Sequence, residues 1–352
     1  MCDPDPYYRP KPSSIVGRRS VVPCYHLRVI RTLVALSAVL FAAGAACSST
    51  PASRTPAGAP SSDTTSAPVA SPAAPGCTAA RPHAAGDFSE TIESGGLTRT
   101  YILHVPAGYD GASAMPLVLS FHPYGTNAKF MSDYVKFDAL ADQKGFVVVT
   151  PDGTGQPQYW NVRKYQATAD DVAFAKDLIA KIDASLCIDA TRTYAAGYSN
   201  GGGMALRLAC EMPERIAAIG VVAGTYLNCD ANVPLIAFHG IADPVVAFEG
   251  ADSAPAGGES FPPIRRSVSE WAKMNSCDGL PTISRPAADV ELSTFHRCRE
   301  GDGGVLLYTL LGGGHTWPGA TDLPAASVGV TNHQIDATKA MWDFFAAHPR
   351  AR

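Results

Sequence analysis

The sequence predicts an α/β fold, a doubly wound, mostly parallel sheet flanked by helices. Three observations carry this. Short β-branched runs alternate with helical stretches from about residue 88 onward. Several runs are apolar without interruption, as strands buried on both faces are. The 352-residue chain is 46% hydrophobic, enough for a sizeable core. Strand then helix, repeated, implies right-handed crossovers between parallel strands. With 28 basic and 32 acidic residues, a net charge of −4 and only 17% charged residues, the chain lacks the basic excess of a nucleic-acid binder.

Residues 1–46 read as an N-terminal extension and signal peptide. Arg28 and Arg31 precede an apolar run, TLVALSAVLFAAGAA, over 32–46. A basic flank, a short apolar run and small residues describe an export signal. The run is too short to span a bilayer. It ends at Cys47, and Gly44-Ala45-Ala46-Cys47 is similar to a bacterial lipobox, which makes Cys47 the expected lipidation site, although Gly44 departs from the usual branched aliphatic residue. Some 27 residues precede Arg28 without periodic pattern, so translation is expected to start nearer Val22 or Val29. Residues 47–76 form a Ser/Pro/Ala-rich tether with no aromatic side chain to bury. Residues 1–46 hold six basic and two acidic residues of the 28 and 32, so the remainder carries 22 and 30, net −8.

The remaining domain, 77–352, contains six cysteines, an even number suited to the disulfides that export permits. None are spaced C-x-x-C, and Cys277 and Cys298, which flank one short excursion, are the first candidate pair. Strands are expected at 98–105, 116–122, 146–150, 192–198, 217–224 and 233–240, with VLLYTLL later in the chain. Helical patterns cover roughly 131–144, 169–185, 201–212, 265–274 and 333–347. In the last, Ile335, Thr338, Met341, Trp342 and Phe345 share one face.

Ligands of such sheets bind at the carboxyl ends of the strands, and four strand ends carry chemistry. Gly197-Tyr198-Ser199-Asn200-Gly201 lies between a strand and a helix, the context of a nucleophile elbow that presents Ser199. Asp243 follows the strand ending in Phe238-His239-Gly240 and is placed to orient an imidazole. Asp252 and Asp289 are rivals, but neither ends a strand. His315, in the glycine-rich stretch 312–319, completes the order Ser, Asp, His. Phe121-His122-Pro123-Tyr124-Gly125 ends an early strand, where a loop can supply an oxyanion amide. Tyr124 is the expected donor, since proline has no N–H, and Asn200 supplies the second. Trp160 and Trp317 fall in loops expected near this site and are candidate substrate-binding residues. Tyr198 and Met204 read as core, and Asp170 and Asp171 as helix caps. His122, His239 and His315 show no metal-ligand spacing, and no phosphate-loop or dinucleotide motif is present, so neither metal nor organic cofactor is expected.

These segments together resemble the polyhydroxybutyrate depolymerase and feruloyl esterase family of secreted α/β-hydrolases, especially its actinobacterial lipoprotein members. The resemblance runs from about residue 86 to the end. It is carried by PDGTGQPQYWN (151–161), ADDVAFAKDLI (169–179), AAGYSNGGGMALRLAC (195–210), AFHGIADPVV (237–246) and GGGHTWPG (312–319). It implies a single catalytic domain of α/β-hydrolase fold, with Ser199 as nucleophile, Asp243 as acid and His315 as base. The family commonly has His-Gly where this chain has His122-Pro123. If that glycine needs a positive φ, proline reshapes the loop and slows the reaction. The expected activity is hydrolysis of a small or oligomeric carboxylic ester through an acyl-enzyme. No nucleic acid or obligate protein partner is expected, and the membrane is met only through the lipid anchor. The competing readings are a serine peptidase of the same fold and a non-catalytic cell-surface binding lipoprotein.

Overall fold

In the computed structural model, residues 76–351 are described except 163–168, 225–228, 231, 252–259 and 300–303. The expected signal, lipidation site Cys47 and tether therefore lie outside the described residues, apart from Gly76 at the tether's end.

Among the described residues, ten strands form one sheet in the order β1-β2-β4-β3-β5-β6-β7-β10-β9-β8. The middle is parallel: β4 (Val147–Pro151), β3 (Met115–Phe121), β5 (Ile188–Tyr198), β6 (Ala218–Val222), β7 (Leu235–Gly240) and β10 (Val305–Leu310). Most of these are nearly unbroken apolar runs, although the first half of β5 is polar, and β4, β6 and β7 are buried at every position. Antiparallel strands close each side: β1 (Gly86–Ser94) and β2 (Leu97–Val105) beyond β4, β9 (Val290–His296) and β8 (Asp278–Ala287) beyond β10.

Alternate side chains enter separate cores on the two faces. Leu117, Leu119 and Phe121 of β3 join α3 (Asp171–Ser185), α4 (Asn200–Glu211) and α5 (Ile264–Met274). Val118 points the other way, toward α1 (Ala128–Val135), α2 (Phe137–Lys144) and α7 (Ala337–Ala347). A short α6 (Ala325–Val328) precedes α7. Sheet order reverses at β3: the chain goes from β3 to β4 on one side, then returns to β5 on the other. Loops leaving β3 and β5 diverge there, which opens the crevice where ligands bind in such sheets.

Three strands escape the hydrophobic pattern. Along β1, exposed and half-buried residues alternate in GDFSETIES, whose inward face is only partly covered. β8 is exposed along nearly its whole length and includes Pro281 and Pro286, tolerated because it is an edge. β9 pairs with it and forms one hairpin. The strand expected at 98–105 is antiparallel to its neighbours rather than part of the parallel set. The expected helix 131–144 divides into α1 and α2 at Lys136, which takes a left-handed φ of 60°. The expected helix 333–347 begins at Ala337, capped by the Asp336 side chain, so Ile335 lies before it.

Among the described residues, three disulfides join Cys77–Cys187, Cys210–Cys229 and Cys277–Cys298. The last clips the β8–β9 hairpin and is the pair expected from the sequence. Cys77–Cys187 closes the longest loop, 110 residues apart in sequence. Cross-links of long loops restrict the unfolded chain most. Replacing Cys77 and Cys187 together by serine is expected to lower unfolding free energy by about 2–4 kcal/mol, read by denaturant titration under oxidising conditions.

Candidate active site

Ser199 sits between β5 and α4 with φ 54° and ψ −118°, a conformation that L-residues rarely adopt. Such a backbone costs about 1–3 kcal/mol and persists only where its surroundings enforce it. Ser199 N donates to Val222 O at 2.8 Å and its carbonyl accepts from Gly203 N at 3.1 Å. Gly201 permits the close approach: a Cβ there would lie 2.1 Å from Phe121 O. The elbow is thus pressed against the end of β3, where the Pro123–Thr126 loop begins.

The hydroxyl of Ser199 lies 2.8 Å from His315 Nε2, and His315 Nδ1 lies 2.8 Å from Asp243 Oδ2. His315 therefore donates from Nδ1 and accepts from Ser199 at Nε2. The other oxygen of Asp243 accepts from Val245 N and Val246 N, both at 2.8 Å. Burial alone would raise the Asp243 pKa. Hydrogen bonds from His239 and His315 outweigh it and hold the carboxyl well below its ordinary value. The His315 backbone is fixed too, because its carbonyl accepts from the Tyr198 hydroxyl. Of the rival acids, Asp252 lies outside the described residues, and Asp289 is engaged by Gln334 Nε2 at 2.7 Å.

The Tyr124 and Asn200 amides make no hydrogen bond among the described residues, and Asn200 opens α4, where backbone N–H groups lack helical partners. Thr126 N donates to Pro123 O across a turn whose third residue, Gly125, has φ 77°. The left-handed position of this turn falls on Gly125. Pro123 is the first residue of this turn, where its missing N–H costs no bond. His122 is wholly buried. Its Nδ1 donates to Pro123 O at 2.8 Å and its Nε2 accepts from Gly153 N at 2.9 Å. Burial lowers its pKa and keeps the ring neutral, as that acceptor role requires.

The two tryptophans are packed inside the protein rather than open to a substrate. Trp160 and Trp317 are each 1% exposed. The Trp317 indole donates to Thr338 Oγ1 and packs edge-on to Phe137 within the α7 core. Trp160 is a strut. Its indole N–H donates to His122 O at 2.9 Å, while its backbone exchanges two hydrogen bonds with the Asn200 side chain, at 2.7 and 3.1 Å. It therefore ties the segment bearing one candidate oxyanion donor to the residue bearing the other. Asn161 N, next in the chain, donates to Asp171 Oδ2, and Asp171 forms a buried ion pair with Arg99 at 2.8 Å. Arg99 also lies over the Phe174 ring, and the Asp170 side chain caps α3.

His122, His239 and His315 do not form a joint metal site, and no cluster of three or more His, Cys, Asp or Glu side chains suited to a metal occurs among the described residues. Sequence reasoning missed the roles of Tyr198, His239 and the Trp160 strut. The adjacency of Tyr198 to Ser199 and the HGIAD spacing were the available signals.

This fold, with a strained serine turn at its switch point, is that of an α/β-hydrolase. Comparisons with known proteins agree. The model of the family described as Esterase PHB depolymerase matches residues 99–241. Feruloyl esterase B of Piromyces equi is 33% identical over 232 residues, 62% of this chain and 42% of that enzyme. The "Putative esterase NocK" of Nocardia uniformis subsp. tsuyamanensis is 31% identical over 273 residues, 71% of this chain and 79% of NocK. Among solved structures, the acetyl xylan esterase from Aspergillus awamori superimposes with a TM-score of 0.55 at 14% identity, over 74% of this chain and 99% of that one, a likeness of fold. The chain belongs to the Esterase PHB depolymerase family. It spans under half the length of the Piromyces enzyme.

Replacing Trp160 by Phe retains an aromatic ring at this position and removes one buried donor. The expected result is a folded protein with kcat for ester hydrolysis lowered about tenfold and KM little changed, measured by steady-state kinetics.

Proposed function

We propose that the protein is an exported serine esterase that hydrolyses carboxylic esters through an acyl-enzyme. The observation that carries this is the Ser199–His315–Asp243 relay, 2.8 Å at each link, on a strained turn at the sheet's switch point. His315 Nε2 takes the proton of Ser199 as Oγ adds to the ester carbonyl carbon. The Tyr124 and Asn200 amides donate to the resulting oxyanion. His315 then gives the proton to the leaving alkoxy oxygen, the carbon–oxygen bond breaks, and the acyl group stays on Ser199. Water enters and loses a proton to His315 as it adds to the acyl carbon. The acid departs and the proton returns to Ser199. Asp243 remains ionised and stabilises the imidazolium.

Similarity to Feruloyl esterase B and to the depolymerase family supports feruloyl esters or hydroxyalkanoate oligomers as the acyl donors. The three disulfides suit an oxidising compartment outside the cytoplasm. In this reading residues 1–46 direct export, Cys47 carries a lipid that holds the enzyme at the cell envelope, and residues 47–76 form the tether.

Purified protein is assayed on p-nitrophenyl acetate, butyrate and octanoate and on methyl ferulate. Ser199→Ala is expected to lower kcat by about 10⁴-fold or more and to abolish labelling by a fluorophosphonate. Turnover surviving that change refutes the nucleophile. The Asp243 carboxyl lies well below its ordinary value of 3.8, so it stays ionised above that pH. Activity measured from pH 4 to 9 is expected to show one acid limb, falling as His315 takes up a proton, and none from Asp243.

A further inference from the structure

A second histidine touches the acid of the relay. His239, the penultimate residue of β7, is 1% exposed. Its Nε2 lies 2.8 Å from Val246 O and 3.3 Å from Asp243 Oδ2, the oxygen that also meets His315. Val246 N in turn bonds the other carboxylate oxygen. One imidazole thus closes the 243–246 turn from below while sharing an oxygen with the base. Its Nδ1 is buried with no partner among the described residues. The proton therefore resides on Nε2, where both acceptors are.

Apart from Val246 O, which shares the Nε2 proton with Asp243, the surroundings offer Nε2 no further acceptor among the described residues. Phe248 lies edge-on to the ring, 6.0 Å between centroids. On β10, Thr309 is in register with His239 and its hydroxyl is buried. Asp243 is the charged group in contact, with His315 beyond it. Arg265, over the far ring of Phe248, is paired with Glu291. None of these competes for the Nε2 proton.

We infer that His239 is a positioning residue: through its Nε2–H it holds the Asp243 carboxylate in register with His315 and draws charge from the shared oxygen, which sets how strongly His315 binds a proton. The inference rests on the relay reading above. A donor on Oδ2 weakens that oxygen's pull on the imidazolium. Removing the donor leaves Oδ2 more basic and less well placed. His315 then holds its proton more tightly, so fewer enzyme molecules carry a free base at a given pH.

Two variants and one measurement on the wild type test this. His239→Leu removes the donor; His239→Gln keeps an N–H at the same reach. With His239→Leu, kcat is expected to fall about tenfold, KM to stay within about twofold, and the acid limb to move to higher pH. His239→Gln is expected to recover most of the rate and return the limb toward its wild-type position. A folded His239→Leu with wild-type kcat and acid limb overturns the inference. So does equal impairment of both variants with the limb unmoved, which would mean that ring shape alone matters. If His239→Leu does not fold, nitrogen NMR of histidine-labelled wild type decides: a proton on His239 Nε2 supports the assignment, and one on Nδ1 overturns it. Fluorophosphonate labelling of the wild type with Ser199→Ala as control keeps the issues apart. Wild type that is never labelled refutes the esterase reading itself, whatever the NMR shows.

Discussion

The whole site depends on how closely the backbone at the start of α4 approaches the end of β3. Only a residue without Cβ fits where Gly201 meets the Phe121 carbonyl. That contact brings the serine turn and the Pro123–Thr126 loop together at the point where the sheet order reverses. It also holds Ser199 in a backbone conformation that its own side chain disfavours. The cost is met by burial elsewhere: α4 lies across β5 and β6 with nine of its twelve residues buried. Reaction geometry here is a product of core packing.

Beneath the reacting atoms, buried polar groups do the aligning. Trp160, His122, Asn161, Asp171 and Arg99 are each almost fully enclosed, and each has partners on other elements. A buried polar group left unpaired costs more than a formed bond gains. Such a network therefore resists partial displacement: moving one member strands the next. Tyr198 and His239 extend the same principle to the base and the acid. One holds the His315 carbonyl and the other the Asp243 carboxylate. The serine's own strand thus steadies the histidine loop, and the acid's own strand steadies the acid.

The parallel strands were readable because burial on both faces leaves continuous apolar runs, as in MPLVLSF and LIAFHG. Ser199, Asp243 and His315 stood out because each follows one of the parallel strands, at or just beyond its carboxyl end. Edge strands were not, since β1 and β8 are polar along one or both faces and their pairing is decided by neighbours distant in sequence. The break at Lys136 was hidden for another reason. A lysine with positive φ leaves no mark in hydrophobic periodicity. Trp160 misled because an aromatic residue beside a polar loop suits substrate stacking and buried support equally well. Only its indole bond to the His122 carbonyl separates them. Pro123 opens the turn that follows β3, and the left-handed backbone stands two positions later, at Gly125.

The sheet's flanks differ in kind from its middle. Both outer hairpins are antiparallel and largely wet on at least one strand; the β1–β2 hairpin is one strand removed from the β3–β5 crevice and the β8–β9 hairpin, clasped at its base by its own disulfide, three. The proposed relay stands on the parallel centre, but the β8–β9 turn is moored to it: Asp289 accepts from Leu311 N and exchanges bonds with the Gln334 side chain, on either side of the His315 loop. A peptide or reporter grafted into that turn would therefore pull on the histidine loop rather than ride free of it.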